Sequence, residues 1–114
     1  MLVAVPDLFF LTRIHAAAHH AGVAIEECAL AELEQRCEAG LAVMVILDLH
    51  APGDPLAVAR ALKSNPASAA TPIVGFYSHV DQDLRRRALA AGVDRVLPRS
   101  AFTARLPALL AGTE

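Results

Sequence analysis

Aromatic residues make up only 4% of this chain, so a core assembled on large rings is excluded, and Ala, Leu and Val must supply most of an apolar content of 55%. That composition suits helices covering a buried sheet. Cysteine is scarce as well. Cys28 and Cys37 are separated by eight residues with no second pair at metal-ligand spacing, which excludes a cysteine-built zinc site and leaves two unpaired thiols. Basic residues are not in excess: ten stand against twelve acidic ones, the net charge is -2, and no overall positive field exists to draw in nucleic acid. The opening stretch Met1–Phe10 is apolar, but Pro6 and Asp7 interrupt it and no basic segment precedes it. A signal peptide and a membrane span are therefore excluded there, and a cytoplasmic protein is expected. PDLFF has no glycine through which a phosphate could approach the backbone, so the nucleotide- and flavin-binding fingerprints are absent. No Ser-His-Asp or Cys-His spacing stands out, although such triads are assembled in space rather than along the chain.

What is present is alternation. Short apolar runs predict strands at Leu2–Val5, Val23–Cys28, Ala42–Asp48, Pro72–Phe76 and Val93–Leu97, and the intervening stretches predict helices over roughly 7–21, 29–39, 54–64, 81–91 and 103–111. The nearly unbroken run AVMVILD suits a central strand covered on both faces, with Asp48 at its end pointing out of the core. Gly22, Gly40 and Gly92 each follow a helical stretch and read as left-handed stops, and Asp81 reads as an N-cap. SNPASAATP, over Ser64–Pro72, is the most loop-like segment. Five strands alternating with five helices imply right-handed crossovers and a doubly wound parallel sheet, read as one unit over residues 1–114. In such sheets the site lies beyond the carboxyl ends of the strands, which directs attention to Pro6–Asp7, Asp48–Pro52, Tyr77–His79 and Pro98–Ser100.

Three other features read as solvated surface. His15 and His19 lie one helical turn apart beside His20, but no further ligand is evident nearby. His50 and His79 fall at the rim of the expected site as exposed loop residues. Arg85, Arg86 and Arg87 share a helix with Asp81 and Asp83.

The segments VILDLHAPG, ARALKSNPASAATPIVGF and SHVDQDLRRRALAAGVDRVLPRS together resemble the receiver domains of bacterial response regulators over most of the chain. Asp48 ends the third strand and Pro52 follows four residues later, similar to the family's D-x-x-x-P. The resemblance implies a flavodoxin-like (βα)5 fold with strand order 2-1-3-4-5, and Asp48 as acceptor of a phosphoryl group from a histidine kinase. It further implies Mg²⁺ held by an acidic pair after strand 1, by Asp48 and by the backbone carbonyl of His50. A hydroxyl after strand 4 and a lysine after strand 5 would hold the phosphoryl oxygens, since a transferring phosphoryl group is stabilised mainly by positioned charge.

Several positions depart from that pattern. Pro6-Asp7 replaces the acidic pair, leaving Asp7 as either a metal ligand or the N-cap of the first helix. The hydroxyl position holds Tyr77, with Ser78 next, and the aromatic position on strand 5 holds Val96. Arg99 takes the lysine position, preserving charge in a planar fork of larger reach, and Ser100 rather than proline follows it. Asp7, Asp48 and Arg99 sum to -1, where the family's three carboxylates and one lysine sum to -2. Each missing unit charge about 5 Å from a divalent ion weakens its attraction by several kcal/mol at an effective dielectric of about 20, so Mg²⁺ binding is expected to be weak. Arg99 is expected to pair with Asp48.

The function expected from these observations is that of a stand-alone, atypical receiver in two-component signalling. It would be a protein-interaction module rather than an enzyme, with phosphorylation at Asp48 impaired or dispensable. The alternatives are a working phosphorelay receiver phosphorylated on Asp48, and a small-ligand binder or enzyme on the same scaffold. The message-bearing surface is expected on helix 4, strand 5 and helix 5, near Arg85, Arg86, Arg95, Phe102 and Arg105. Its partner would be a protein with acidic residues around an apolar patch, a histidine kinase, or a second copy of the chain.

Overall fold

Val45, Ile46 and Leu47 are entirely shielded from solvent, and their alternating side chains feed two separate hydrophobic clusters. A strand buried on both faces needs a layer of helices on each side, and the chain supplies both. The computed structural model describes residues 1–38, 43–78 and 81–112. Its strands are β1 (Leu2–Ala4), β2 (Glu26–Glu27), β3 (Val45–Asp48), β4 (Ile73–Tyr77) and β5 (Arg95–Pro98). Its helices are α1 (Leu8–Ala21), α2 (Leu33–Glu38), α3 (Pro55–Ser64), α4 (Gln82–Ala90) and α5 (Arg99–Ala111). All the strand pairings are parallel, and the order is β2-β1-β3-β4-β5. The doubly wound parallel sheet expected from the βα alternation, and the strand order implied by the family resemblance, are the ones observed.

The two layers differ in material. Helices α2, α3 and α4 cover one face through Leu33, Leu56, Ala59, Leu62, Leu84 and Ala88, an almost wholly aliphatic set. Helices α1 and α5 cover the other, where most of the chain's few rings gather. Phe76 stacks on Phe102 with centroids 4.8 Å apart and lies 4.7 Å from Phe10. Each aromatic pair of this kind contributes about 0.5–1.5 kcal/mol beyond the burial of its area.

Local chemistry sets the helix ends. The carboxylates of Asp7, Asp54 and Asp81 accept the N–H groups of Phe10, Ala57 and Leu84 at the starts of α1, α3 and α4, and Pro55 occupies the first turn of α3, where its missing N–H costs nothing. Gly22 stops α1 in the left-handed conformation (φ 71°). Gly92 follows α4 with φ 99°, and a Cβ there would come within 2.7 Å of Lys63 Cγ. The expected stop at Gly40 and the start of the third strand at Ala42 lie outside the described residues.

Most strand boundaries shift by one or two residues, and three differences are larger. The second strand is confined to Glu26–Glu27 rather than Val23–Cys28, because the N–H of Val23 is drawn back to the Ala18 carbonyl (2.9 Å) as part of the α1 stop. The result is a short, exposed, acidic edge, which discourages edge-to-edge pairing. Helix α2 is shorter than 29–39, because Leu30–Glu32 forms a 3₁₀ turn ahead of it. Helix α5 begins at Arg99, four residues before the expected 103, with Pro98 (φ -63°, ψ 152°) turning the chain straight from β5 into the helix.

The loop over Ser64–Pro72 is tied down from within. Ser68, almost fully buried, donates its hydroxyl to the Leu62 carbonyl at 2.6 Å. Beside it Lys63 Nζ reaches the carbonyls of Ala69 (3.3 Å) and Thr71 (2.9 Å) and the Asp94 carboxylate (2.8 Å).

Candidate functional site

The carboxyl edge of the sheet collects most of the residues singled out by the sequence. Asp48 ends β3 opposite Phe76 of β4 and is buried, with only 6% of its surface exposed. Its Oδ1 accepts the backbone N–H of His50 at 2.9 Å, and its carbonyl accepts the N–H of Ala51 at 3.1 Å, which closes the turn after the strand. The Asp48 carboxylate is thus held by the loop that follows it.

Asp7 does two things at once. Oδ1 caps α1 by accepting the Phe10 N–H (3.1 Å), and Oδ2 lies 3.6 Å from Arg99 Nη1. The expected Arg99–Asp48 pair is not formed; among the described residues the ion pair of Arg99 is with Asp7. The reason is the stack beneath the guanidinium, whose carbon sits 4.6 Å from the centroid of Phe10 and 5.8 Å from that of Phe76. A cation over aromatic faces is attracted by their negative quadrupole, and this holds the fork toward the start of α1. Arg99 Nε is buried in that arrangement with no hydrogen-bond partner.

Strand parity separates the two residues at the hydroxyl position. Tyr77 follows Ile73 and Gly75 onto the aliphatic face and is buried there in one cluster with Leu49, Leu84 and Val96. Buried there beside Val96, the side chain named at the hydroxyl position is turned away from the cavity-lining edge. Ser78, one residue on, is exposed and lines the same cavity as Arg99. His79 lies outside the described residues.

That cavity, of about 700 Å³, opens between α1 and the start of α5 and is bounded by Phe9, Phe10, Arg13, Ser78, Pro98 and Arg99, with Ser100 and Thr103 from the first turns of α5. Asp48 does not line it. It was not legible in the sequence, because its walls come from segments about 90 residues apart joined only by the fold.

The donor set does not fit a resident Mg²⁺. The family's second acidic residue is Pro6, both oxygens of Asp7 face other groups, and a guanidinium lies against that carboxylate. A hard divalent ion needs clustered oxygen charge. Among the described residues, no three His, Cys, Asp or Glu side chains lie together as a metal site. His15 instead approaches Glu27 at 2.7 Å, tying α1 to β2 on the surface. Arg86 and Arg87 pair with Asp83 at 3.6 and 3.0 Å, the solvated arrangement expected for that run. Cys28 and Cys37 are free thiols, as expected, and burial pushes both above their usual pKa, with Arg36 partly opposing the shift at Cys28.

No protein-family model matches the sequence, and no curated protein matches it. Solved structures do. A response-regulator receiver domain from Rhodospirillum rubrum superposes with a TM-score of 0.78 at 23% identity, covering 97% of this chain and 90% of that one. The fold is that of a response-regulator receiver domain. The receiver domain of a sensor histidine kinase from Pseudomonas aeruginosa, which carries magnesium in its active-site cleft, gives a TM-score of 0.83 at 20% identity, with 96% and 91% of the two chains covered. A chemotaxis response regulator of Vibrio cholerae gives 0.83 at 16% identity, with 99% and 96% covered. At the Rhodospirillum level of identity the backbone is shared and the site chemistry is this chain's own.

Proposed function

We propose that this chain is a receiver-type module of two-component signalling, with residues 1–114 forming one folded unit, that acts by binding another protein. Phosphorylation at Asp48 is impaired or dispensable. The observation that carries this reading is the engagement of Asp7 by Arg99 and by the first turn of α1, which leaves Asp48 as the one carboxylate of the site not committed to a cation. Asp48 then serves mainly to hold the β3–α3 turn through the His50 N–H, and Mg²⁺ associates weakly at best. The module is not an enzyme on this reading, and it is cytoplasmic. No described helix is long and apolar enough to cross a membrane, and the net charge of -2 gives no reason to expect nucleic acid.

The proposed partner surface needs one correction. Phe102, expected to be its apolar element, is completely buried in the aromatic stack. Leu89 of α4, 43% exposed and one helical turn from Arg85 and Arg86, is the apolar element proposed in its place, with Arg95 and Arg105 kept as the other basic residues of the surface. A kinase domain or a second copy of the chain presenting acidic residues around an apolar patch is the complementary surface.

The test is a Mg²⁺ titration followed by amide NMR with and without beryllium fluoride, paired with acetyl phosphate labelling on phosphate-affinity gels. The expected result is no saturable, Asp48-centred change and no labelled band. A Mg²⁺-dependent beryllofluoride complex at Asp48 would overturn the reading and restore a phosphorelay receiver.

A further inference from the structure

The cavity between α1 and α5 is separate from Asp48, and its composition is selective. Of the residues that line it, two carry a positive charge and none carries a negative one. Its volume of about 700 Å³ lies within the usual range for small-molecule sites, roughly 300–1,000 Å³.

Each wall supplies a different element of recognition. Phe9 is 73% exposed, an unusual setting for a phenyl group, and with Pro98 it offers a flat apolar surface. The Arg13 guanidinium sits 5.3 Å from the Phe9 ring and pairs with no carboxylate among the described residues. Arg99, also in the lining, rests on Phe10 and is held by one long contact to Asp7; its Nε is buried beneath, so the exposed terminal nitrogens are the ones a ligand can reach. Pro98 gives α5 no side-chain cap, so the first-turn N–H groups add partial positive charge at the same end of the cavity. Thr103 Oγ1 already donates to the Arg99 carbonyl, which leaves it an acceptor and makes the arginines the principal donors.

We infer that this cavity binds a small aromatic carboxylate. The ring would lie against Phe9 and Pro98, while the carboxylate would take donors from Arg13 and from the part of the Arg99 fork that faces the cavity. Two planar forks suit a planar carboxylate, and the rings beneath and beside them favour an aromatic body over a bare anion.

The experiment is an amide-NMR titration of the full chain with 2-naphthoate, alongside neutral 2-naphthylmethanol and inorganic phosphate. The expected result is saturable shifts at Arg13, Ser78 and Ser100–Thr103 with a Kd below about 1 mM, and at least about tenfold weaker binding of either control. Arg13→Glu, a change at an exposed position that leaves the fold intact, weakens naphthoate by about tenfold or more, and Asp48→Asn leaves it unchanged. No saturable shift, phosphate binding as tightly as naphthoate, or indifference to Arg13→Glu would each overturn the inference. None of these outcomes bears on phosphorylation at Asp48, so the two proposals fail separately.

Discussion

At the amino edge of the sheet the Lys63 ammonium is gripped by three oxygens, two carbonyls and the Asp94 carboxylate, all at 2.8–3.3 Å. Asp94 in turn accepts the N–H of Ile73 at 2.7 Å, so one carboxylate locks the ends of α3, β4 and β5 together. At the carboxyl edge the corresponding cation, Arg99, has a single carboxylate at 3.6 Å, a stack of rings beneath it and a buried Nε with no partner. Both cations are partly shielded, yet only one has its donors satisfied. A satisfied cation is a structural clip. One whose terminal nitrogens make a single long contact beside a cavity keeps donors that a bound anion can take.

The contrast can be broken by substitution, and the largest effect is expected beneath the carboxyl edge. Phe102→Ala removes a fully buried ring from the stack that supports Phe76 and should destabilise the fold by about 3–5 kcal/mol, read from urea unfolding. It is therefore unsuitable as a probe of partner binding. At the amino edge Asp94→Ala strips Lys63 of its carboxylate and Ile73 of its acceptor, and a loss of about 2–3 kcal/mol is expected in the same assay.

Smaller changes separate the two roles of Asp7. Asp7→Ala loses the α1 cap and should cost about 1 kcal/mol, whereas Asp7→Asn keeps an acceptor and should cost less. Arg99→Met should also change stability by less than about 1 kcal/mol, since its ion pair is long and more than a third exposed. An Arg99→Met penalty as large as that of Asp94→Ala would erase the difference between the edges.

The smallest effect is a pH dependence away from both edges. Burial raises the pKa of the Cys28 and Cys37 thiols, so the folded chain holds these protons more tightly than the unfolded one. Their contribution to stability is present below the unfolded thiol pKa of about 8.5 and is lost as the pH rises through the folded values. Urea midpoints should therefore fall more from neutral to mildly alkaline pH in the parent than in a Cys28→Ser, Cys37→Ala variant, and thiol-disulfide reagents should modify Cys37 slowly.

The sequence by itself determined the five βα repeats, Asp48 at the end of a buried strand, the cap at Asp81 and the stop at Gly22, because each depends on a short apolar run or on the chemistry of a residue beside a helix end, while Asp7 stayed open between cap and metal ligand until the fold placed it. Tertiary structure decided what happens across elements. Whether Tyr77 faces the site or the aliphatic layer depends on the parity with which β4 meets its neighbours, and whether Phe102 is surface or core depends on how early α5 begins. The partner chosen by Arg99 depends on Phe10 and Phe76 arriving beneath it from two other elements. Hydrophobic period and capping act over a few residues and are written in order along the chain, whereas ion pairing, ring stacking and cavity walls join residues that only the closed fold brings within a few ångströms.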